Sequence, residues 1–321
     1  MSFQGFSYMS SHHLHNLTIR QLRALAAVAS EGSVTGASNR LGLTQPAVTL
    51  QLRNLQELAG LPLVQRTGDG MALTGAGQEV LMLAERIEAA ISTCQTSLDM
   101  ILGKTGGSIT IGAVSTAKYF VPYAIAAFSK LHPNIDIKLT IGNREEIREA
   151  MRGYDLDIAV MGRPPAGIDF EVHLIGDNPH VIVAPKGHWL EKDFGLAAVD
   201  LTHETFLTRE PGSGTRILME SLFEMTELRP NIGMEMGSNE TIKQAVLAGL
   251  GIAFLSAHTV ASELADGRLV ILDVAGLPVV RQWLVVRRRD KVLLPPAQAM
   301  LDFLRTEGPS FLPSLAASPK L

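Results

Sequence analysis

Between Ser33 and Ala59 the chain reads SVTGASNRLGLTQPAVTLQLRNLQELA. Helical spacing from Thr44 on sets Gln45, Thr49 and Arg53 at i, i+4 and i+8, while Val48, Leu52 and Leu55 fall on a neighbouring face. Glutamine and arginine carry the forked amide and guanidinium that match adenine and guanine edges in the major groove, and Thr44 or Thr49 can hold phosphates. One face of such a helix packs and the other reads base pairs. Further along, three strand-to-helix junctions place polar residues at a helix start: Ser115-Thr116, Asn143, and Gly212-Ser213-Gly214-Thr215. Unpaired N–H groups at helix N-termini attract carboxylate or phosphate, and each hydroxyl adds a donor. Taken singly, each of these residues reads as an ordinary helix cap. Converging, they would make an anion site.

Catalytic constellations are lacking. The patterns GxxxxGK(S/T), HExxH and GxSxG do not occur, nor does GxGxxG after a strand, and the GSGT loop at 212–215 is too common to specify a nucleotide. Adjacent Glu145 and Glu146 read as a solvated helix face, and the isolated His180 and His258 as structural residues, so no enzyme is expected. Cys94 is the lone cysteine and cannot close an internal disulfide, and no His or Cys cluster has metal spacing, which fits a reducing compartment such as the cytosol. His12, His13 and His15 belong to a stretch, residues 1–16, that reads as an exposed, disordered tail rather than a metal site. That stretch lacks the basic and apolar regions of a signal peptide, and no later run approaches the roughly 18 apolar residues that cross a bilayer, so neither export nor a membrane span is expected.

The elements that position these groups follow in chain order. Thr18 caps a first helix with Leu22, Leu25, Ala26 and Ala29 on one side, stopped at Gly32; Ser33 caps a second, with Val34, Ala37 and Leu41 on one face. Thr44 caps the third, with Pro46 in its first turn, where a missing N–H costs little. The last two helices, joined at Gly42-Leu43, form a helix-turn-helix. Such triads also occur in ordinary bundles, and the Gln45, Thr49, Arg53 face tips the balance toward DNA. LPLVQRTGDGMALT then reads as a hairpin, a wing beside the reading helix. From Thr74 to about Leu102 the pattern is helical, and Val80, Ala84, Ile87, Ile91, Cys94, Leu98 and Ile101 step alternately by four and three, the heptad stripe of a coiled coil. The strict period favours a partner helix over packing within the same domain, with Cys94 a small buried seam residue.

At 321 residues the chain exceeds one ordinary domain. Its formal charge of −4 argues against a protein that coats nucleic acid, yet residues 17–68 hold five arginines against two glutamates, a net +3. Residues 103–108 form a Gly-rich hinge. Beyond it short apolar strands alternate with helices, the texture of a parallel α/β sheet. Strands are expected at 109–114, 135–141, 156–161, 180–185, 232–236, 252–255 and 282–288. Two blocks imply two lobes, about 109–178 with 281–307 and about 179–280, with a cleft between them at the strand ends and a flexible tail over 308–321. The fold class is therefore α/β overall: an all-α winged helix-turn-helix at 17–74, a dimerising linker helix at 75–102, and a two-lobed ligand-binding domain at 109–307.

The chain resembles the LysR-type transcriptional regulators from Leu17 to about Glu307. The match is carried by LRALAAVASEGSVTGASNRLGLTQPAVTLQLRNLQ and PLVQRTGDGMALTGAG, and supported by GLGIAFLS and ELADGRLVIL. LTQPAVTLQLRNL, LTREPGSGTR and GSNETIKQAV look most like the CbbR/CmpR-like branch, regulators of carbon-fixation genes. The resemblance implies a two-lobed effector domain similar to periplasmic binding proteins, homodimers that assemble into homotetramers on promoter DNA, and contact with RNA polymerase. Carried onto this sequence, Ser33, Thr44, Gln45, Pro46, Thr49, Arg53 and Arg66 match DNA-binding positions, and Ser115, Thr116, Asn143, Ser213 and Thr215 line the effector cleft. No cofactor is implied; the effector would be a phosphorylated metabolite or NADPH. Two departures stand out: Asp69 at the wing tip, where arginine is frequent and where a carboxylate is repelled by the minor groove, and Gln56, where glutamate is common. The rival readings are a ligand-binding protein whose N-terminal helices serve only assembly, and a small-molecule enzyme for which no acid or base can be nominated.

Overall fold

The computed structural model describes residues 13–68, 70–103, 106–226 and 229–315. Two compact units make up the chain, residues 1–92 and 93–321.

In the first unit α1 (Ile19–Glu31), α2 (Val34–Leu41) and α3 (Gln45–Ala59) each open on the residue nominated by sequence. The Thr18 hydroxyl accepts from the Gln21 N–H while the Gln21 side chain accepts from the Thr18 N–H; Ser33 accepts from Gly36 and Thr44 from Ala47. Their inner faces meet in one core containing Leu22, Leu25, Val28, Ala37, Val48, Leu52 and Leu55. Strands β1 (Val64–Thr67) and β2 (Gly70–Leu73) pair antiparallel as the wing. Gln56 ties the wing to α3, its Oε1 accepting from Leu63 N–H at 2.9 Å and Val64 N–H at 3.4 Å. A neutral amide suffices here because the bond it makes is to backbone. Met71 N–H donates to the Gly32 carbonyl at 2.8 Å, and a Cβ on Gly70 would stand 2.5 Å from that same oxygen, so only glycine fits where wing meets helix. Asp69 at the wing tip lies outside the described residues.

The long helix α4 (Gly75–Ile101) divides its apolar stripe, which corrects the expectation of one continuous seam. Val80 and Ala84 are buried in the core of the helical unit and Ile87 packs against it, because α1 to α3 leave an apolar face that the first turns of α4 cover. Ile91, Cys94 and Leu98 stay exposed, so Cys94 is no buried residue within the protomer. The expected tail is also shorter: His13–Asn16 form a 3-10 turn and Leu17 packs on the helical core, while residues 1–12 lie outside the description.

The second unit runs β3 (Ser108–Val114), a 3-10 turn (Ser115–Tyr119), α5 (Val121–Leu131), β4 (Asp136–Gly142), α6 (Arg144–Arg152), β5 (Ile158–Met161), β6 (Phe170–Pro185) and β7 (Thr205–Arg209). It continues with α7 (Gly214–Met225), β8 (Asn231–Met236), α8 (Asn239–Leu247), β9 (Ile252–Ser256), a 3-10 turn (Ala257–Thr259), α9 (Ala261–Ala265), β10 (Leu269–Ile271), β11 (Val279–Arg288) and α10 (Pro295–Thr306). Strand order is β4-β3-β5-β11-β6-β9-β7-β8, with β10 beside β6. The sheet is mixed where a parallel one was expected: β6 and β11 run antiparallel to each other and to β9 and β5, because they carry the chain across between the lobes. Lobe I holds a core of Ile111, Phe120, Phe128, Trp283 and Met300 on one face and Ile147, Met151 and Val286 on the other. Lobe II is built likewise, around Phe206, Phe223 and Phe254 and around Val183, Leu207 and Ile242.

At the crossing the register slips: Trp283 faces Gly176 but Leu284 faces Leu174, leaving Ile175 as a bulge that bends the ribbon. The last described residues are not free. Gly308–Phe311 form a 3-10 turn, Phe311 and Leu312 pack on the lobe I core and Leu315 on a lobe II core, since their apolar side chains find cover over the crossing strands; this corrects the flexible tail expected from 308. In the expected hinge, Lys104 and Thr105 lie outside the described residues, while Gly106 N–H donates to the Asn134 carbonyl and Ser108 already belongs to β3.

Candidate DNA-reading face and anion cleft

The face of α3 that avoids the core carries every residue nominated for base reading. Thr44, Gln45, Pro46, Thr49 and Arg53 are all exposed, as is Arg66 on β1. The Arg53 side chain is 75% exposed and its Nε donates to Glu57 Oε1 at 2.9 Å, one turn on, which steadies the side chain and leaves the two terminal guanidinium nitrogens for a base edge. Ser33 sits half-buried with its hydroxyl committed to the α2 cap.

The second site is a cleft of about 490 Å³ between the lobes. Ser115, Thr116, Asn143, Ser213 and Thr215, distant in sequence, all line it. Ser115 and Thr116 open the 3-10 turn after β3. Asn143 caps α6, its Oδ1 accepting from the Glu145 and Glu146 N–H groups at 2.9 Å, so only its NH₂ remains for a ligand. Ser213 behaves differently: it precedes α7, its hydroxyl caps no N–H of that helix, and it is buried at the cleft wall beside Thr215.

Sequence reasoning missed the charges. Arg144, Arg163, Arg209 and Arg281 line the cleft, and Asp177 is the one carboxylate among its described lining residues. Arg209 is buried and bonded through Nε and Nη2 to Glu210 at 2.7 and 2.8 Å, which neutralises it. Arg144, Arg163 and Arg281 have no ion-pair partner among the described residues, so the cleft is left with a surplus of positive charge. Arg144, first residue of α6 in lobe I, reaches over to lobe II: its Cδ lies 3.8 Å from where a Cβ on Gly214 would stand. A cation from one lobe thus meets the N-terminus of α7 from the other, which the Ser213 side chain does not cap, and the two features attract the same negative group. Arg144 was legible as the residue after a nominated cap, and Arg281 as a charge interrupting an apolar strand; neither announces its direction.

His180 and His258 are both buried, and His180 stands at the cleft wall. His180 Nδ1–H donates to the Asn178 carbonyl at 3.0 Å, the ring stacks on Phe254, and burial pushes its pKa down to about 4. Burial likewise lowers His258 to about 4; its Nδ1 accepts from the indole N–H of Trp283 at 3.0 Å. Among the described residues no group of His, Cys, Asp and Glu could hold a metal ion, and no helix is long and apolar enough to cross a membrane.

A winged helix-turn-helix with a bare polar face, followed in the chain by a two-lobed domain enclosing a cationic cleft, defines a ligand-responsive DNA-binding regulator. The chain belongs to the LysR family of transcriptional regulators: residues 19–78 match the bacterial regulatory helix-turn-helix protein, lysR family, and residues 102–309 match the LysR substrate binding domain. It is 52% identical over 300 residues to the transcriptional regulator CbbR of Xanthobacter flavus, covering 93% of this chain and 90% of that one. It is 37% identical over 291 residues to the transcriptional activator CmpR of a Synechocystis strain, covering 91% and 96%. Among solved structures, the regulatory domain of Synechocystis CcmR in complex with 2-PG is similar, with a TM-score of 0.60 and 36% identity over 62% of this chain and 96% of that one.

Proposed function

We propose that this regulator binds promoter DNA through α3 and answers to a small phosphorylated metabolite held between the lobes, as an activator of carbon-fixation genes. The observation that carries the effector reading is the convergence of Arg144 with the N-terminus of α7 in a cleft whose remaining charges leave it positive. The similarity to CbbR and CmpR supports the class of target genes, and the 2-PG complex of CcmR supports a phosphorylated acid as ligand. Ile91, Cys94 and Leu98, apolar or small and uncovered on α4, give a second copy of the chain its seam; homodimers and then homotetramers follow, acting in the cytosol on RNA polymerase. Paired α3 helices would then enter successive major grooves about one helical turn apart.

Two titrations test the proposal. Calorimetry of the full chain with 2-phosphoglycolate should show saturable binding that weakens as salt rises. Gel shift on the duplex upstream of the neighbouring operon should show binding that scrambled duplex does not, with mobility altered by the ligand. Absence of both would remove the reading.

A further inference from the structure

The turn that brings Ser115 and Thr116 to the cleft ends at Tyr119, which does not line the cleft. Its hydroxyl crosses to lobe II and donates to Glu240 Oε2 on α8 at 3.0 Å, while Lys243 Nζ stands 5.3 Å from its ring centroid. Lys243 is 6% exposed and reaches Glu240 and Glu263 at 3.0 Å each. Neither side of this junction can yield alone. Ala117 and Phe120, flanking the tyrosine, are fully buried in the lobe I core, and Ile242 and Val246 fix α8 in the lobe II core. The distance from Tyr119 to Glu240 is therefore set by how the two lobes stand to each other. Burial alone would raise the Glu240 pKa, yet hydrogen bonds from Gln244, Lys243 and Tyr119 outweigh it and hold the carboxyl at about 2, so the acceptor is charged at cellular pH.

The lobe II side of this junction carries a cost as well. Both polar atoms of the Asn239 amide, Thr259 Oγ1 and Glu263 Oε2 are buried without partners among the described residues, and the turn holding Thr259 packs against the turn holding Tyr119. Unmet polar groups oppose the arrangement that buries them.

We propose that Tyr119 is a latch: a positioning residue that closes the lobes over the effector without touching it. Thr116 and Arg144 lie on one lobe and Ser213 and Thr215 on the other, so a ligand that engages both sets holds the lobes in the arrangement in which Tyr119 meets Glu240, and that bond adds its stabilisation to the same arrangement. The inference rests on the proposed binding of a phosphorylated anion in the cleft.

The test is calorimetry of the full chain with 2-phosphoglycolate, for the wild type, Tyr119→Phe, Glu240→Ala and the pair. Tyr119→Phe keeps the ring and removes one hydroxyl; its expected effect is roughly tenfold weaker binding, the scale of a lost hydrogen bond to a charged group. In the Glu240→Ala background the same change should have no further effect, a coupling that a general loss of packing does not produce. Wild-type affinity in Tyr119→Phe, or a full additional loss in the Glu240→Ala background, overturns the latch while the cleft reading stands. Failure of the wild type itself to bind overturns the reading beneath it.

Discussion

Replacing Arg144 with glutamine removes one positive charge from the cleft while keeping a long polar side chain over Gly214. Two unit charges 4 Å apart in a partly buried site, at an effective dielectric of about 20, interact by roughly 4 kcal/mol. Arg144 is half-buried and the cleft opens to solvent, so screening and the residual polarity of glutamine reduce this by about half, to about 2 kcal/mol. That is roughly a 30-fold loss of affinity. The assay is calorimetry of the full chain with 2-phosphoglycolate and with glycolate at two salt concentrations. The loss should fall on the phosphorylated ligand, and the salt dependence of its binding should flatten in the variant. Unchanged affinity for 2-phosphoglycolate, or an equal loss for glycolate, would show that Arg144 answers to something other than the phosphoryl charge and that the convergence with α7 is incidental.

On the DNA side, Arg53→Ala should weaken specific binding by about 1 to 3 kcal/mol, the usual scale for a bidentate base contact, and leave scrambled duplex little changed in competition gel shifts. Equal loss on both would make Arg53 a phosphate contact. Along α4 the divided stripe separates two roles: Leu98→Asp, at an exposed position, should dissociate the assembly in sedimentation without lowering the stability of the protomer, whereas Val80→Ala, in the helical core, should cost about 2 kcal/mol of stability. A Leu98→Asp protein that still sediments as wild type would place the seam elsewhere. His180 and His258, both near 4 in the folded chain against 6.5 unfolded, favour the neutral form. Their contribution is complete above about pH 6.5 and is lost as pH falls toward 4, at about 1.4 kcal/mol per pH unit for each; denaturant melts across that window should show the slope, and His258→Asn should remove about half of it.

The reading helix was legible because every signal that defines it is local. Thr44, Pro46 and the alternation of Val48, Leu52 and Leu55 with Gln45, Thr49 and Arg53 lie within three turns, and caps and periodicity determine such a segment almost unaided. The cleft residues at helix starts were legible for the same reason. The path of β6 was not: only its second half, HVIVAP, has the apolar run of a buried strand, while FEVHLIGDNP alternates and is interrupted by Gly176 and Pro179, because it pairs with β11 in a ribbon between lobes. TFLTR of β7 escaped notice as a strand too short and too polar at its ends, although it is buried nearly throughout. The seam on α4 misled because a heptad stripe states that a helix is covered, not by what. Val80 and Ala84 obey the period while facing their own domain. The arginines of the cleft could not be placed at all, since the direction of a long charged side chain follows from tertiary packing rather than spacing.

A ligand shifts an equilibrium between two conformations only by the difference in its affinity for them. In this cleft that difference is built into the topology. Thr116 and Arg144 belong to lobe I, Ser213 and Thr215 to lobe II, and the chain passes between the lobes along the paired strands β6 and β11. An anion large enough to touch both groups engages both only when the lobes are close. Trp283 sharpens the dependence: it is fully buried in the lobe I core, sits at the bulge where β11 bends, and donates to His258 on the far lobe. Strand curvature and the junction between lobes therefore meet in one side chain. A ligand that reached a single lobe would bind without moving anything, however tightly it was held.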